Sequence, residues 1–180
     1  NAFPLEELAE VCNVACYGNS YALAIGDVDD NGTLDMMVQN HEELIRLFIN
    51  FEAGLRNWIK FDVKGVGMNK FAVGARLTAT VNGRKTMHEI AAGSNYKSTN
   101  DYIEHFGLNN LDHLPLLEVR FPDGQVRTFQ DVPGMTTWLV LHPDLMGAHD
   151  ENGTRGPEEL AAFAQSYHKL DFQHDWEFQD

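Results

Sequence analysis

Basic residues are scarce in this chain. Lys and Arg number 13 against 27 Asp and Glu in 180 residues, a formal net charge of −14. Phosphate backbones and anionic membrane surfaces would repel such a surface, so neither is an expected partner. Long apolar runs are also missing. None approaches the roughly 18 residues that a membrane-spanning helix needs. The opening "NAFPLEELAE" has neither the basic n-region nor the apolar h-region of a signal peptide. It begins with Asn rather than Met, which leads us to expect a processed or excised chain. Cysteine is nearly absent, with only Cys12 and Cys16 in "VCNVACY". That spacing excludes a zinc ribbon and a c-type haem site. It leaves a small disulfide ring and a pair of free thiols both open. Catalytic signatures are lacking too. There is no G-x-S-x-G, no Ser/His/Asp ordering and no phosphate-cradling loop, and "GVGMNKFAVG" lacks the dinucleotide spacing. The eight histidines include no H-E-x-x-H pair, so His168 and His174 read as surface residues, and His105 as a structural residue buried beside Phe106. Catalysis is therefore not expected.

Hydrophobic residues make up 43% of the chain, enough for a real core. Their pattern is mostly that of strands. "SYALAIGDVD", "LDMMVQN" and "LIRLFINFE" read as three successive strands, the last over a weaker helical alternative for residues 42–51. "NWIKFDVKG" alternates Ile59, Phe61 and Val63 against Trp58, Lys60, Asp62 and Lys64. Two hairpins are expected, turning at Asn82-Gly83 and Asp123-Gly124, and "TTWLVLHP" is a final strand closed by Pro143. Short strands at regular spacing predict an antiparallel β-sandwich or small barrel. Helices are expected only at the ends, from Pro4 to Cys12 and after Pro157. Three regions follow: residues 1–52, 53–146, and a 147–180 linker, helix and acidic aromatic tail.

The densest chemistry lies in "AIGDVDDNGTLDMMV", from Ala24 to Val38. Ca²⁺ takes roughly six to eight oxygen ligands, and alternate residues of a tight loop can turn inward together. Asp27, Asp29, Asn31 and Asp35 have that spacing, Thr33 can add its backbone carbonyl, and Gly32 permits the sharp turn. Asp30 is expected to point outward. The opening fits the EF-hand pattern, but position twelve is Val38 rather than Glu and the flanks are strand-like. Without an ion, so many carboxylates in one turn would repel each other. Mg²⁺ suits the loop less well, because it demands tighter octahedral geometry. Asn152, in "NGT", is a candidate glycosylation site.

The segment "YALAIGDVDDNGTLDMMVQN" resembles an FG-GAP/VCBS repeat, the blade unit of integrin-like β-propellers. That resemblance implies a Ca²⁺ loop with Asp27, Asp29, Asn31 and Asp35 as ligands, and Thr33 through its carbonyl. The pieces "NWIKFDVKG", "NKFAVGARLTATVNGRKTMHEIAAGSNYKSTND", "EHFGLNN" and "LLEVRFPDGQVRTFQDVP" resemble, in order, the ASPIC/UnbV domain that follows the last blade in cartilage acidic protein-like secreted proteins. The resemblance implies a non-catalytic extracellular, periplasmic or cell-surface module that binds a protein or glycan partner. One blade cannot close a propeller ring and would leave sheet edges bare. The chain is therefore expected to be the C-terminal part of a larger protein or to sit against other chains. A structural subunit of a surface filament or assembly, and an accessory domain of a glycan-acting enzyme, are the alternatives.

Overall fold

The computed structural model describes residues 10, 12–15, 18–52, 54 and 56–145. Ten strands account for the regular structure, and a 3-10 turn at Pro143–Leu145 is the one helical element among the described residues. The two expected helices and the aromatic tail lie outside them, apart from turns at residues 10 and 12–13.

Strands β1 (Ser20–Gly26), β2 (Asp35–Asn40) and β3 (Arg46–Phe48) form an antiparallel meander. Gly26 pairs with Asp35, so residues 27–34 form the hairpin loop. The following strands are β4 (Asn57–Lys64), β5 (Arg76–Val81), β6 (Arg84–Glu89), β7 (Glu104–Asn109), β8 (His113–Arg120), β9 (Val126–Pro133) and β10 (Thr137–Leu141). They make two further sheets, ordered β10-β4-β7 and β6-β5-β8-β9. Asn82 and Gly83 both take positive φ, and Val81 pairs with Arg84, as a two-residue hairpin requires. The 42–51 segment resolves in favour of strand at β3.

The alternation in β4 does what its sequence implies. Ile59, Phe61 and Val63 are at most 1% exposed. They meet Leu77 and Ala79 of β5, Phe106 and Leu108 of β7, Leu117 and Val119 of β8 and Val140 of β10 in one cluster. Two sheets thus share a single apolar core. No sheet closes on itself, so the barrel alternative does not form. The sandwich is not wholly antiparallel, either: β10 runs parallel to β4. Met135 N–H donates to the Trp58 carbonyl at 2.6 Å and Lys60 N–H to that of Thr136 at 3.1 Å. These bonds start β10 beside β4 in the same direction.

The edges of the first sheet differ from expectation. β1 is not bare, because residues 95–101 lie along it. Asn95 Nδ2 and Ser98 Oγ donate to the Leu23 carbonyl at 2.9 and 2.5 Å. Ile25 N–H donates to Asn100 Oδ1 at 3.1 Å, and Asp101 N–H returns to the Ile25 carbonyl at 3.2 Å. Side-chain amides and hydroxyls here take the place of a neighbouring strand. On the far side β3 is the sheet's edge strand.

Candidate functional site

The hairpin between β1 and β2 gathers carboxylates of Asp27, Asp29 and Asp35, with an oxygen of each within 4.8 Å of the others. The loop's own amides hold them. Asp27 Oδ1 accepts from Asn31 N–H at 3.0 Å and Oδ2 from Gly32 N–H at 2.8 Å. Asp35 accepts from Val28 N–H and Asn50 N–H, each at 2.8 Å, and is 2% exposed. Asn31 turns Oδ1 toward Thr33, 2.8 Å from its N and 2.5 Å from its hydroxyl. Its Nδ2 faces Asp29 Oδ2 at 2.9 Å and the Asn50 carbonyl at 3.0 Å. Three of the expected ligands therefore converge through oxygen, and a half-turn of the Asn31 amide would present a fourth oxygen. Thr33 Oγ1 lies 2.7 Å from the Asn50 carbonyl. Asn50 thus ties the loop to the chain beyond β3, a part that spacing alone did not single out.

The loop is not surrounded by solvent. It sits on the outer face of β4 and β7. Lys60, only 5% exposed, reaches up from β4 to Asp27 Oδ2 at 2.8 Å and also pairs with Asp30. Asp30 points outward, as expected, yet it binds Lys60. Burial works against charge on Asp27, but the Lys60 ammonium and the Gly32 and Asn31 amides outweigh it and hold its carboxyl below the usual range. Burial also works against charge on Lys60, and the two carboxylates overcome it and raise its pKa. His105, opposite Lys60 in the β4–β7 register, places Nε2 2.9 Å from the Gly32 carbonyl and stacks on Trp58. His105 is half-buried under the loop. The ring stacked on Phe106 is that of His88, with centroids 4.3 Å apart.

Gly32 is fixed twice over. Its φ is +89°, and a Cβ there would lie 1.9 Å from Trp58 Nε1. Beside the loop a cleft of about 720 Å³ opens between the first sheet and the sandwich, with Asp27, Asp30, Lys60, His88, Glu104 and His105 among its walls.

The donor set fits a hard cation. Oxygens on one Ca²⁺ at about 2.3–2.6 Å can lie up to about 5 Å apart, which accommodates the observed spread. Lys60 already balances part of the charge. A second cluster, Asp123, His142 and Asp144, reads as a clamp. His142 Nδ1 accepts Asp144 N–H at 3.2 Å, Nε2 lies 3.0 Å from Asp123 Oδ2, and the ring packs edge-on against Phe121. Cys12 is exposed, and its possible partner Cys16 lies outside the described residues, as do Asn152, His168 and His174.

Residues 65–145 match the family described as ASPIC and UnbV. These residues are an ASPIC/UnbV domain. It begins just after β4 and takes in β5 to β10, so the acidic loop, Trp58 and Lys60 precede it. β4 nevertheless supplies Ile59, Phe61 and Val63 to the domain's core. The domain also provides the loop's seat, through His105, and the cover of the β1 edge, through residues 95–101. No curated protein matches the chain.

Proposed function

We propose that the chain is a non-catalytic Ca²⁺-binding module in which an FG-GAP/VCBS-like blade hairpin is seated on an ASPIC/UnbV domain. The observation that carries this reading is the convergence of Asp27, Asp29 and Asp35 within the span of one ion's ligand shell. The ion adds to a scaffold already set by backbone amides, so it stiffens the hairpin rather than creating it. The module acts outside the cytoplasm, where Ca²⁺ is abundant, and presents its surface to a protein or glycan partner. Calorimetric titration of Ca²⁺ into the chain tests the ion. We expect saturable binding to the native sequence and none to the double variant Asp27→Ala plus Asp29→Ala. Equal, negligible heats in both would overturn the reading.

A second reading, as a structural subunit, draws on the β3 side of the first sheet. Leu44, Ile45, Leu47 and Phe51 are each about half exposed or more there, next to an edge strand. Unpaired edges flanked by apolar side chains invite pairing with another chain. Sedimentation decides between the two. A monomer at high concentration, with Ca²⁺ present, excludes self-assembly through this edge.

A further inference from the structure

We propose that Lys60 is a tethered cation that competes with Ca²⁺ for Asp27 and so sets the affinity of the loop. The inference rests on the Ca²⁺ reading above and adds a determinant that lies outside the loop, on β4. Asp27 is the carboxylate through which the competition acts. Both its oxygens are already engaged, Oδ1 by Asn31 N–H and Oδ2 by Gly32 N–H and Lys60 Nζ. An ion drawing on Asp27 must displace or crowd one of these donors. The two amides belong to the loop's own turn and are fixed by it. Lys60 is the charged member, on a flexible stem, and it has an alternative anchor in Asp30, whose side chain is 85% exposed. It therefore yields to the ion by shifting toward Asp30. That shift loosens one of the contacts between the loop and β4.

Position makes the competition strong. Lys60 lies in the central strand of its sheet, flanked by Thr137 on β10 and His105 on β7, so its stem rises from a fixed base. Its ammonium also lies 4.9 Å from the Trp58 ring centroid, which keeps it at the loop's underside. The Lys60 and Asp27 side chains are 6% and 3% exposed, so a positive charge held there opposes a divalent ion with little screening by water. Through linkage, whatever the Lys60–Asp27 pair contributes to holding the loop without the ion is forfeited when the ion binds.

The test is Lys60→Met, which keeps most of the stem and removes the charge. Ca²⁺ titration of the 180-residue chain is expected to show about tenfold tighter binding than the native sequence. Denaturation is expected to show the variant less stable without Ca²⁺, and the deficit should narrow by about 1.4 kcal/mol at saturating Ca²⁺, the equivalent of tenfold. Native binding with equal or weaker affinity in the variant would overturn the proposal while leaving the Ca²⁺ site standing. Heat in neither chain would remove the site and the proposal together. Asp30→Asn keeps the idea testable should Lys60→Met fail to fold. It leaves Lys60 to Asp27 alone and should weaken Ca²⁺ binding several-fold, and unchanged affinity there would equally overturn it.

Discussion

At the scale of single residues, the hairpin is shaped by one glycine and one ion pair. Gly32 combines a φ of +89° with a Trp58 indole standing where a side chain would begin. Left-handed geometry costs an alanine about 1 kcal/mol or more, and overpacking a filled site costs about 1–3 kcal/mol. Gly32→Ala should therefore lower stability by about 2–4 kcal/mol in urea denaturation, whereas Gly54→Ala, with φ +85° but no neighbour within 4 Å, should show only the backbone part. The Asp27–Lys60 pair carries a pH signature. Asp27 is held below its usual pKa, so its contribution is fully present above about pH 4 and is lost as pH falls through the lower folded value. Lys60 is held above its usual value, so its contribution is present below about pH 10 and is lost as pH rises through the higher folded value. The stability difference between the native chain and Asp27→Asn should then be flat from about pH 5 to about pH 9 and shrink in acid. A difference that changes steadily across neutrality would show that another group governs it.

At the scale of elements, the first sheet is attached by polar side chains. Asn100 Oδ1 accepts the Ile25 amide, so Asn100→Ala should expose that amide to exchange. A single bond of this kind contributes about 1 kcal/mol, so exchange at Ile25 should quicken about fivefold while β4 amides are unaffected. Equal acceleration in β4 would mean that the variant disturbs the whole molecule. Most of the strands were legible in the sequence, because their alternation and their Asn-Gly and Asp-Gly turns are local signals, but β7 was not read as a strand. The convergence of Asp27, Asp29 and Asp35 was legible for the same reason: all three lie in one short loop. Contacts between elements were not. Alternation sets Lys60 on the face opposite Ile59, Phe61 and Val63 but does not say what covers that face. Trp58, a large ring on that same nominally polar face, was the available hint that something does. The parallel β10 and the cover on β1 depend on where distant segments return, and periodicity carries no such information.

At the scale of the whole molecule, the stabilising forces are unevenly divided. The large apolar cluster draws on strands β4, β5 and β7 to β10 and on connecting segments, and none of its fully buried members comes from residues 20–48. Three short strands bury too little to stand alone, so the first sheet depends on its seat. That seat consists of the Lys60 pair, the His105 and Trp58 contacts with Gly32, and the bonds from residues 95–101. Such an arrangement should open in two stages. Native-state hydrogen exchange is expected to show β1 and β2 amides exchanging through an opening of lower free energy than that of β4, β5 and β8. On our reading Ca²⁺ takes its ligands from the folded hairpin turn, so at a hundred times its dissociation constant it should raise any opening that unfolds that turn by up to about 2.7 kcal/mol. Amides of β4, β5 and β8 that exchange only through global unfolding should rise by the same amount, because that unfolding also releases the ion, so the gap between the two openings should persist. A single shared opening energy for all strands would instead mean that the polar seat couples the two units as tightly as an apolar core does.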